Sequence, residues 1–323
     1  MAVDTLEFEE PVAALLKEID QLGSQPATPE RATEIARLQT RAWQVRRDLF
    51  ARLTPWQRVL VARHPQRPYL LDYAARLWPD FTEIHGDRRF GDDQAIVTGF
   101  ARYHEQSVVI VGHQKGRDTK QKIARNFGYA RPEGYRKALR AMQMAEKFRR
   151  PVICLVDTPA AYPGMESEER GIAEAIALNL REMAVLDTPI LVVVTGEGGS
   201  GGALGIAVGD TVLMQEYAVY SVIPPEGCAA ILWRDSAKKV EAAEALKMTA
   251  PDLVARDIVD GIIAEPDGGA HQDYDLAASR LDEALWPALQ QLMAMPQAER
   301  LERRYEKFRR IGRVGAEISG MAS

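Results

Sequence analysis

The chain is poor in the residues that build covalent staples and metal sites. Its 323 residues include two cysteines, Cys154 and Cys228, and five histidines. It has no cysteine cluster and no histidine pair at ligand spacing, which excludes a disulfide framework and predicts no metal in this chain. Cys154 lies inside the apolar run PVICLV and reads as a small core hydrophobe. No apolar run approaches the roughly 20 residues needed to cross a bilayer. The acidic start MAVDTLEFEE lacks the basic and apolar regions of a signal peptide. A formal net charge of −5 argues against general nucleic-acid binding. There is no Gly-x4-Gly-Lys-Ser/Thr phosphate loop either, so Asp157-Thr-Pro-Ala is only superficially like a GTPase switch. These absences leave a soluble, cytoplasmic protein, long enough for one large core or two modest domains.

What is present changes character along the chain. Val12, Leu15, Leu16, Ile19 and Leu22 mark an amphipathic helix that Gly23-Ser-Gln-Pro26 interrupts. Pro29 suits a second helix start, and Ile35, Leu38, Ala42, Val45 and Leu49 then recur at helical steps. Such a hairpin cannot bury its apolar stripe alone, so it is expected to pack on the main body or on a partner subunit. From Ala95 the period changes. Residues 95–103 and 108–112, split by His104-Glu-Gln-Ser107, predict a β-hairpin. A helix follows with Tyr135, Leu139, Met142 and Phe148 on one face, then a strand at Val152–Val156. A second helix spans about Glu169 to Leu186, with Ile172, Ile176, Leu180 and Met183 inward, and a strand runs over Ile190–Val194. Strands at 211–214 and 219–222, a helix from Pro225 and a late strand at 258–263 complete the pattern. Two strands and a helix recur, which fits a spiral of ββα units better than a doubly wound sheet. The organisation read from this is an N-terminal helical arm (1–39), a main α/β domain (40–295) and a charged helical tail (296–323).

The richest stretch is ILVVVTGEGGSGGALGIA (190–207), a buried strand leading through glycines into a small-residue helix. Three chemistries fit it. Gly196-Glu-Gly198-Gly-Ser-Gly201 matches a dinucleotide fingerprint, with Glu216 at the distance of a ribose-binding acid, but Gly209-Asp210 leaves the crossover helix short. Gly198-Gly-Ser200-Gly-Gly202 matches a serine-hydrolase elbow. Its only later histidine, His271, sits in a glycine loop expected to be exposed. The third reading needs only main-chain amides near Gly201 and Gly202 forming an oxyanion site. A second loop, Asp157-Thr-Pro-Ala-Ala-Tyr-Pro-Gly164, leaves the end of another buried strand and is expected to border the same cleft. Residues 113–150 carry twelve Lys or Arg against three acids, which points to an anionic ligand or an acidic partner surface. Within them Lys115 and Arg117, set among glycines at a strand mouth, are candidates for holding anionic groups.

The segments ARHPQRPY (62–69), IVGHQKGRDTKQKIARNFG (110–128), PEGYRKALRAMQMAEKF (132–148), DTPAAYPG (157–164), ERGIAEAIALNLREM (169–183), GEGGSGGALGIAVGD (196–210) and PEGCAAILW (225–233) identify what the chain is similar to. It resembles the alpha-subunit family of the carboxyltransferase component of bacterial acetyl-CoA carboxylase, from about residue 40 to 270, and its helical arm resembles the family's N-terminus. The resemblance implies a crotonase-like fold. It also implies transfer of a carboxyl group from carboxybiotin, held on the biotin carboxyl carrier protein, to acetyl-CoA, giving malonyl-CoA for fatty acid synthesis. Biotin carboxylase and a carboxyltransferase beta subunit are the other implied partners, the latter in an α2β2 unit with the active site between the chains. Zinc is expected only in the beta subunit, and no cofactor is expected to be held by this chain. The implied alpha oxyanion hole maps onto Gly201 and Gly202, with Gly199, Ala203, Ala160 and Ala161 expected to contact substrate. Ala160 stands where the family usually has glycine; alanine resists positive φ, so a change of loop shape is expected there. Removing CO2 from carboxybiotin leaves charge on the ureido group, which can itself take a proton from the acetyl thioester, so no acid–base dyad is required. The different-class alternatives are a serine hydrolase using Ser200 and a non-enzymatic scaffold subunit.

Overall fold

The computed structural model describes residues 5–312. Helices α1 (Glu10–Gly23) and α2 (Pro29–Phe50) form the expected N-terminal hairpin. The Thr28 hydroxyl accepts the Arg31 N–H at the head of α2, and Pro29 occupies the first helical position, where an amide would go unused. The hairpin's foot rests on its own body. Phe50 packs edge-on against Tyr217, and the Trp43 indole donates to Asp267 at 3.1 Å.

Helices α3 (Pro55–Ala62) and α4 (Leu70–Leu77) and a short strand β1 (Thr82–Ile84) lead into the sheet. Strands β2 (Ile96–Tyr103) and β3 (Gln106–His113) pair antiparallel from Ile96↔His113 to Tyr103↔Gln106. The turn is tighter than the sequence suggested. His104 and Glu105, at φ 44° and 63°, form it alone, the backbone that matches the twist of the flanking strands. Then follow α5 (Thr119–Ala124), α6 (Pro132–Lys147), β4 (Val152–Thr158), α7 (Met165–Glu169), α8 (Ile172–Val185), β5 (Ile190–Gly199) and α9 (Ser200–Leu204). Strands β6 (Thr211–Gln215) and β7 (Val219–Ser221) precede α10 (Pro225–Trp233), α11 (Lys239–Leu246) and α12 (Ala250–Val254). Strand β8 (Gly261–Ile263) and helices α13 (Tyr274–Ala294) and α14 (Gln297–Arg310) complete the described chain.

The sheet runs β1-β2-β3-β4-β5-β6-β8, parallel from β3 onward, and β7 also pairs with β5. Alternate residues of the central strands feed two cores. Val109, Val111, Cys154, Val192 and Val194 meet α6 and α8, whereas Ile110, Ile153, Leu155, Leu191 and Val193 meet α4 and α13. Every residue of β4 is buried, as both faces are covered. Two-strand units followed by helices occur twice, at β2–β3 and β6–β7, with single parallel strands between them.

Four local expectations change. Phe148 leaves the α6 face and is exposed, because the helix ends at Lys147. The second long helix begins at Ile172, since Gly171 adopts φ +79° and separates it from α7. The late strand shrinks to Gly261–Ile263. The charged stretch expected from residue 296 onward includes α14, whose Arg304 is buried: its guanidinium bonds Asp210 at 2.8 Å and the carbonyls of Met183, Leu186 and Thr188. The rest of that stretch, residues 313–323, lies outside the described residues.

Candidate active site

Strand β5 changes partner along its length. Leu191–Val194 pair with β6, and Glu197–Gly199 pair with β7. The glycines at 196, 198 and 199 therefore lie in extended strand rather than in a turn, and α9, five residues long, starts directly at Ser200. That helix is too short for a dinucleotide crossover. Glu216, the ribose acid of that reading, instead accepts the Glu265 N–H at 3.2 Å. Ser200 takes φ +50° to make the corner, a conformation that L side chains adopt at a cost. The amides of Gly201 and Gly202 fall in the first turn of α9, outside its i→i−4 ladder.

The loop after β4 is pressed onto this corner. A Cβ on Gly199 would lie 1.8 Å from the Pro159 carbonyl oxygen, and one on Gly202 would lie 2.4 Å from the Ala160 carbon and the Ala161 nitrogen. Gly201 is different, since a Cβ there would meet only Ile176 at 3.7 Å, an ordinary contact. Ala160 is not among the positive-φ residues, so the loop needs no glycine at that position. Ala161 bridges to Ala130, and the Thr158 hydroxyl lies 2.7 Å from the Gly128 carbonyl and 2.9 Å from that of Ala160. Ala203 points into the core.

From behind, α6 and α8 brace the corner. The Tyr135 hydroxyl donates to the Gly202 carbonyl at 3.1 Å, and the Asn179 amide donates to Tyr135 and Gly205 carbonyls at 3.0 and 2.8 Å. Sequence reasoning placed Tyr135 only in the core and passed over Asn179. A polar side chain in a helix stripe that is otherwise apolar was the available signal.

Beneath the corner runs a chain of charges. The Lys115 ammonium lies 2.7 Å from Asp157 and 3.0 Å from Glu197. Arg63 bridges Glu197 and Glu226, each at 2.6 Å. Asp157 also accepts the Glu197 N–H at 2.9 Å, tying the ends of β4 and β5. Burial alone would discharge Lys115, but Asp157 and Glu197 outweigh it and hold the ammonium's pKa above its ordinary value. Burial likewise opposes the Glu197 carboxylate, and Lys115 and Arg63 keep its pKa below normal. Lys115 thus has its charge matched inside the protein and presents none to an anionic ligand. Arg117 is similarly occupied. It bonds Asp72 at 2.8 Å and the Tyr274 hydroxyl at 2.9 Å, and it lies over the Tyr69 ring.

Arg67, in the loop between α3 and α4, is fully buried and grips Glu265 at 2.6 Å, Thr195 carbonyl at 2.5 Å and Gln215 at 3.1 Å. His113, at the end of β3, is buried; it accepts a long 3.4 Å bond from the Asp157 N–H and also interacts with the backbone of Leu155 and Gly202. Burial, seconded by Lys115, pushes its pKa down to about 3, so the ring is neutral.

In front of Gly201 opens an apolar cavity of about 350 Å³, lined by Ser200, Leu204, Val212, Tyr220, Phe308 and Ile311 among others. No histidine lines it. His271 is not exposed as expected but stacks on His64 at 3.8 Å, under the helical arm, and burial lowers its pKa to about 3. Among the described residues Ser200 therefore has no histidine base, and the serine-hydrolase reading fails. Among the described residues no group of three or more His, Cys, Asp or Glu can hold a metal, and no helix is long and apolar enough to cross a membrane.

Comparison with known proteins agrees with this geometry. The family model described as acetyl co-enzyme A carboxylase carboxyltransferase-like matches residues 5–312. The acetyl-coenzyme A carboxylase carboxyl transferase subunit alpha of Geobacter metallireducens is 57% identical over 309 residues, covering 95% of this chain and 97% of that protein. The Bordetella pertussis protein of the same name is 53% identical over 310 residues, with the same coverage. Among solved structures, a transcarboxylase 12S bound to methylmalonyl-coenzyme A aligns with TM-score 0.57 and 26% identity; the match covers 70% of this chain but only 42% of that one. A Pseudomonas malonate decarboxylase hetero-tetramer in complex with coenzyme A aligns with TM-score 0.57 at 16% identity, covering 72% and 90%, a likeness of fold alone. The α/β architecture is the crotonase-like one expected. With its glycine corner, pressed loop and matched length, the chain belongs to the acetyl co-enzyme A carboxylase carboxyltransferase-like family.

Proposed function

We propose that this chain is the alpha half of an acetyl-CoA carboxylase carboxyltransferase. It would move the carboxyl group of carboxybiotin to acetyl-CoA with main-chain donors rather than a side-chain nucleophile. The observation that carries this is the asymmetry at the corner: Gly199 and Gly202 are sealed by the 158–161 loop, whereas Gly201 faces an apolar cavity of about 350 Å³. The amides of Gly201 and Gly202 donate to the oxygen that gains charge as the carboxyl group transfers, each worth on the order of 3 kcal/mol when preorganised. The apolar wall excludes water and holds two reactants together, which contributes further. Lys115, Asp157 and Glu197 keep the corner in place and do not touch substrate. Ala160 and Ala161 close the cleft from the opposite side.

The remaining half of the site comes from the beta subunit. Val222, Ile231 and Leu232 are 74%, 70% and 67% exposed beside the cavity and on α10, an apolar surface suited to a permanent partner. The biotin carboxyl carrier protein and biotin carboxylase supply the carboxylated biotin, and this chain holds no cofactor of its own.

The test is co-expression with the beta subunit, followed by malonyl-CoA-dependent carboxylation of a biotin analogue. The assembled complex should be active, and Ser200→Ala should retain near-normal turnover. An inactive complex, or a Ser200→Ala variant that is dead yet folded, would overturn the reading.

A further inference from the structure

Resting on the reading above, we infer that α5 and the turn after it are the landing surface for the carrier domain that brings biotin, and that this domain presents an acidic face. Five of the twelve cations of residues 113–150 are paired with a carboxylate inside the chain: Lys115 with Asp157, Arg117 with Asp72, Arg131 with Glu166, Arg136 with Asp87 and Lys137 with Asp92. Lys120, Lys122 and Arg125 are not, and of the unpaired ones these three stand on α5 and the turn after it. Among the described residues none of the three has a carboxylate within ion-pair distance, and Arg125 bonds only the Gln94 carbonyl, at 2.7 Å. Glu83 and Asp93 act on Arg125 from farther away. The acid next to α5, Asp118, is turned into the helix cap, accepting the Gln121 N–H at 2.7 Å.

Between these cations stand two apolar side chains in solvent, Ile123 and Phe127, 65% and 55% exposed. Asn126 and Phe127 are both left-handed, at φ 47° and 56°, and the Asn126 amide donates to the Tyr129 carbonyl at 2.8 Å, fixing the turn. An aromatic residue adopts that backbone only against a steric penalty. The turn also touches the site. The Gly128 carbonyl accepts the Thr158 hydroxyl at 2.7 Å, and the Ala130 carbonyl accepts the Tyr162 N–H at 2.9 Å. A protein seated on Phe127 is thus one layer from the loop that closes the cleft.

The kind of partner follows from contrast with α10. The exposed Ile231 and Leu232 suit a subunit that stays bound. Unmatched cations around isolated apolar knobs suit one that arrives repeatedly, because such charges speed encounter more than they hold the complex. A carrier that must shuttle between two active sites needs that kind of contact.

The experiment uses the complex assembled with its beta subunit and two variants, the double substitution Lys120→Glu/Lys122→Glu and the single Phe127→Ala. Malonyl-CoA-dependent carboxylation is measured with biotinylated carrier protein and with a free biotin analogue, alongside direct binding of the carrier at low and high salt. The double variant should raise KM for the carrier about tenfold and flatten its salt dependence. Activity on the free analogue, KM for malonyl-CoA and assembly should stay as in wild type. Phe127→Ala should weaken carrier binding at every salt concentration. Unchanged carrier kinetics would overturn the inference. So would a raised KM for malonyl-CoA, which would give the cations to a nucleotide phosphate, or failure to assemble, which would give them to the beta subunit. A wild-type complex inactive on both biotin forms would instead sink the proposed function, while the binding measurement would still judge the surface.

Discussion

Gly201 and Gly202 are neighbours in sequence, yet they belong to two regions built on opposite terms. The inner region, running from Gly202 and Gly199 back through the 158–161 loop to Lys115, Asp157 and Glu197, is filled to contact with main chain and matched charge. The outer region, beginning at Gly201, is a cavity whose wall is side chain and whose front stands open. The inner region gives the corner its shape, and the outer one receives whatever binds. Substitutions should therefore differ sharply in their cost to stability across a single peptide bond.

The largest effect is expected from Lys115→Met. It leaves Asp157 and Glu197 buried without their common cation, a loss of about 3–5 kcal/mol in urea unfolding. Stability within about 1 kcal/mol of wild type would mean that Arg63 alone suffices for the inner region. Next comes Gly201→Val, which crowds the open side: transfer in the assembled complex should fall by about 10²–10³-fold with little change in melting temperature. Gly202→Ala should cost stability on the same assays, and transfer should fall as well because its amide is displaced. Its methyl group meets the Ala160–Ala161 backbone, costing about 1–3 kcal/mol or more by overpacking. If the two variants lose stability equally, the division between regions is wrong.

The smallest effect concerns pH. The His113 pKa is about 3 in the folded protein against an ordinary value near 6.5, so folding excludes a proton there. Its contribution is complete above about pH 6.5 and declines as pH falls toward 3, at up to about 1.4 kcal/mol per pH unit. His113→Gln should lessen the stability lost between pH 7 and pH 5, read from urea midpoints. His271, under the arm, imposes a slope of the same sign, and its retention in that variant serves as the control.

Much of this was legible in the sequence, for identifiable reasons. Alternation gave the β2–β3 hairpin, and Pro29 and Pro225 marked true helix starts. The glycine run announced a crowded corner but not its geometry. Whether Gly196–Gly199 turn or stay extended depends on β7, which pairs with them from twenty-two residues downstream. Lys115 and Arg117 stood out as cations in sequence; their carboxylate partners, Asp157 and Asp72, come from other elements, which no local pattern reveals. His271 was expected in solvent because its loop is glycine-rich, yet His64 covers it. No element was expected over residues 50–94, although Thr54-Pro-x-Gln57 is a capping box that starts α3, the helix leading to Arg63.

The cavity in front of Gly201 takes part of its wall from Phe308 and Ile311, at the end of α14, and the buried Arg304 clasp is what seats that helix. During synthesis the glycine corner leaves the ribosome well before this wall does. A nascent chain therefore shows a bare apolar trough where the finished protein has a bounded chamber. The cavity beside Gly201 therefore takes its final outline only once α14 has docked.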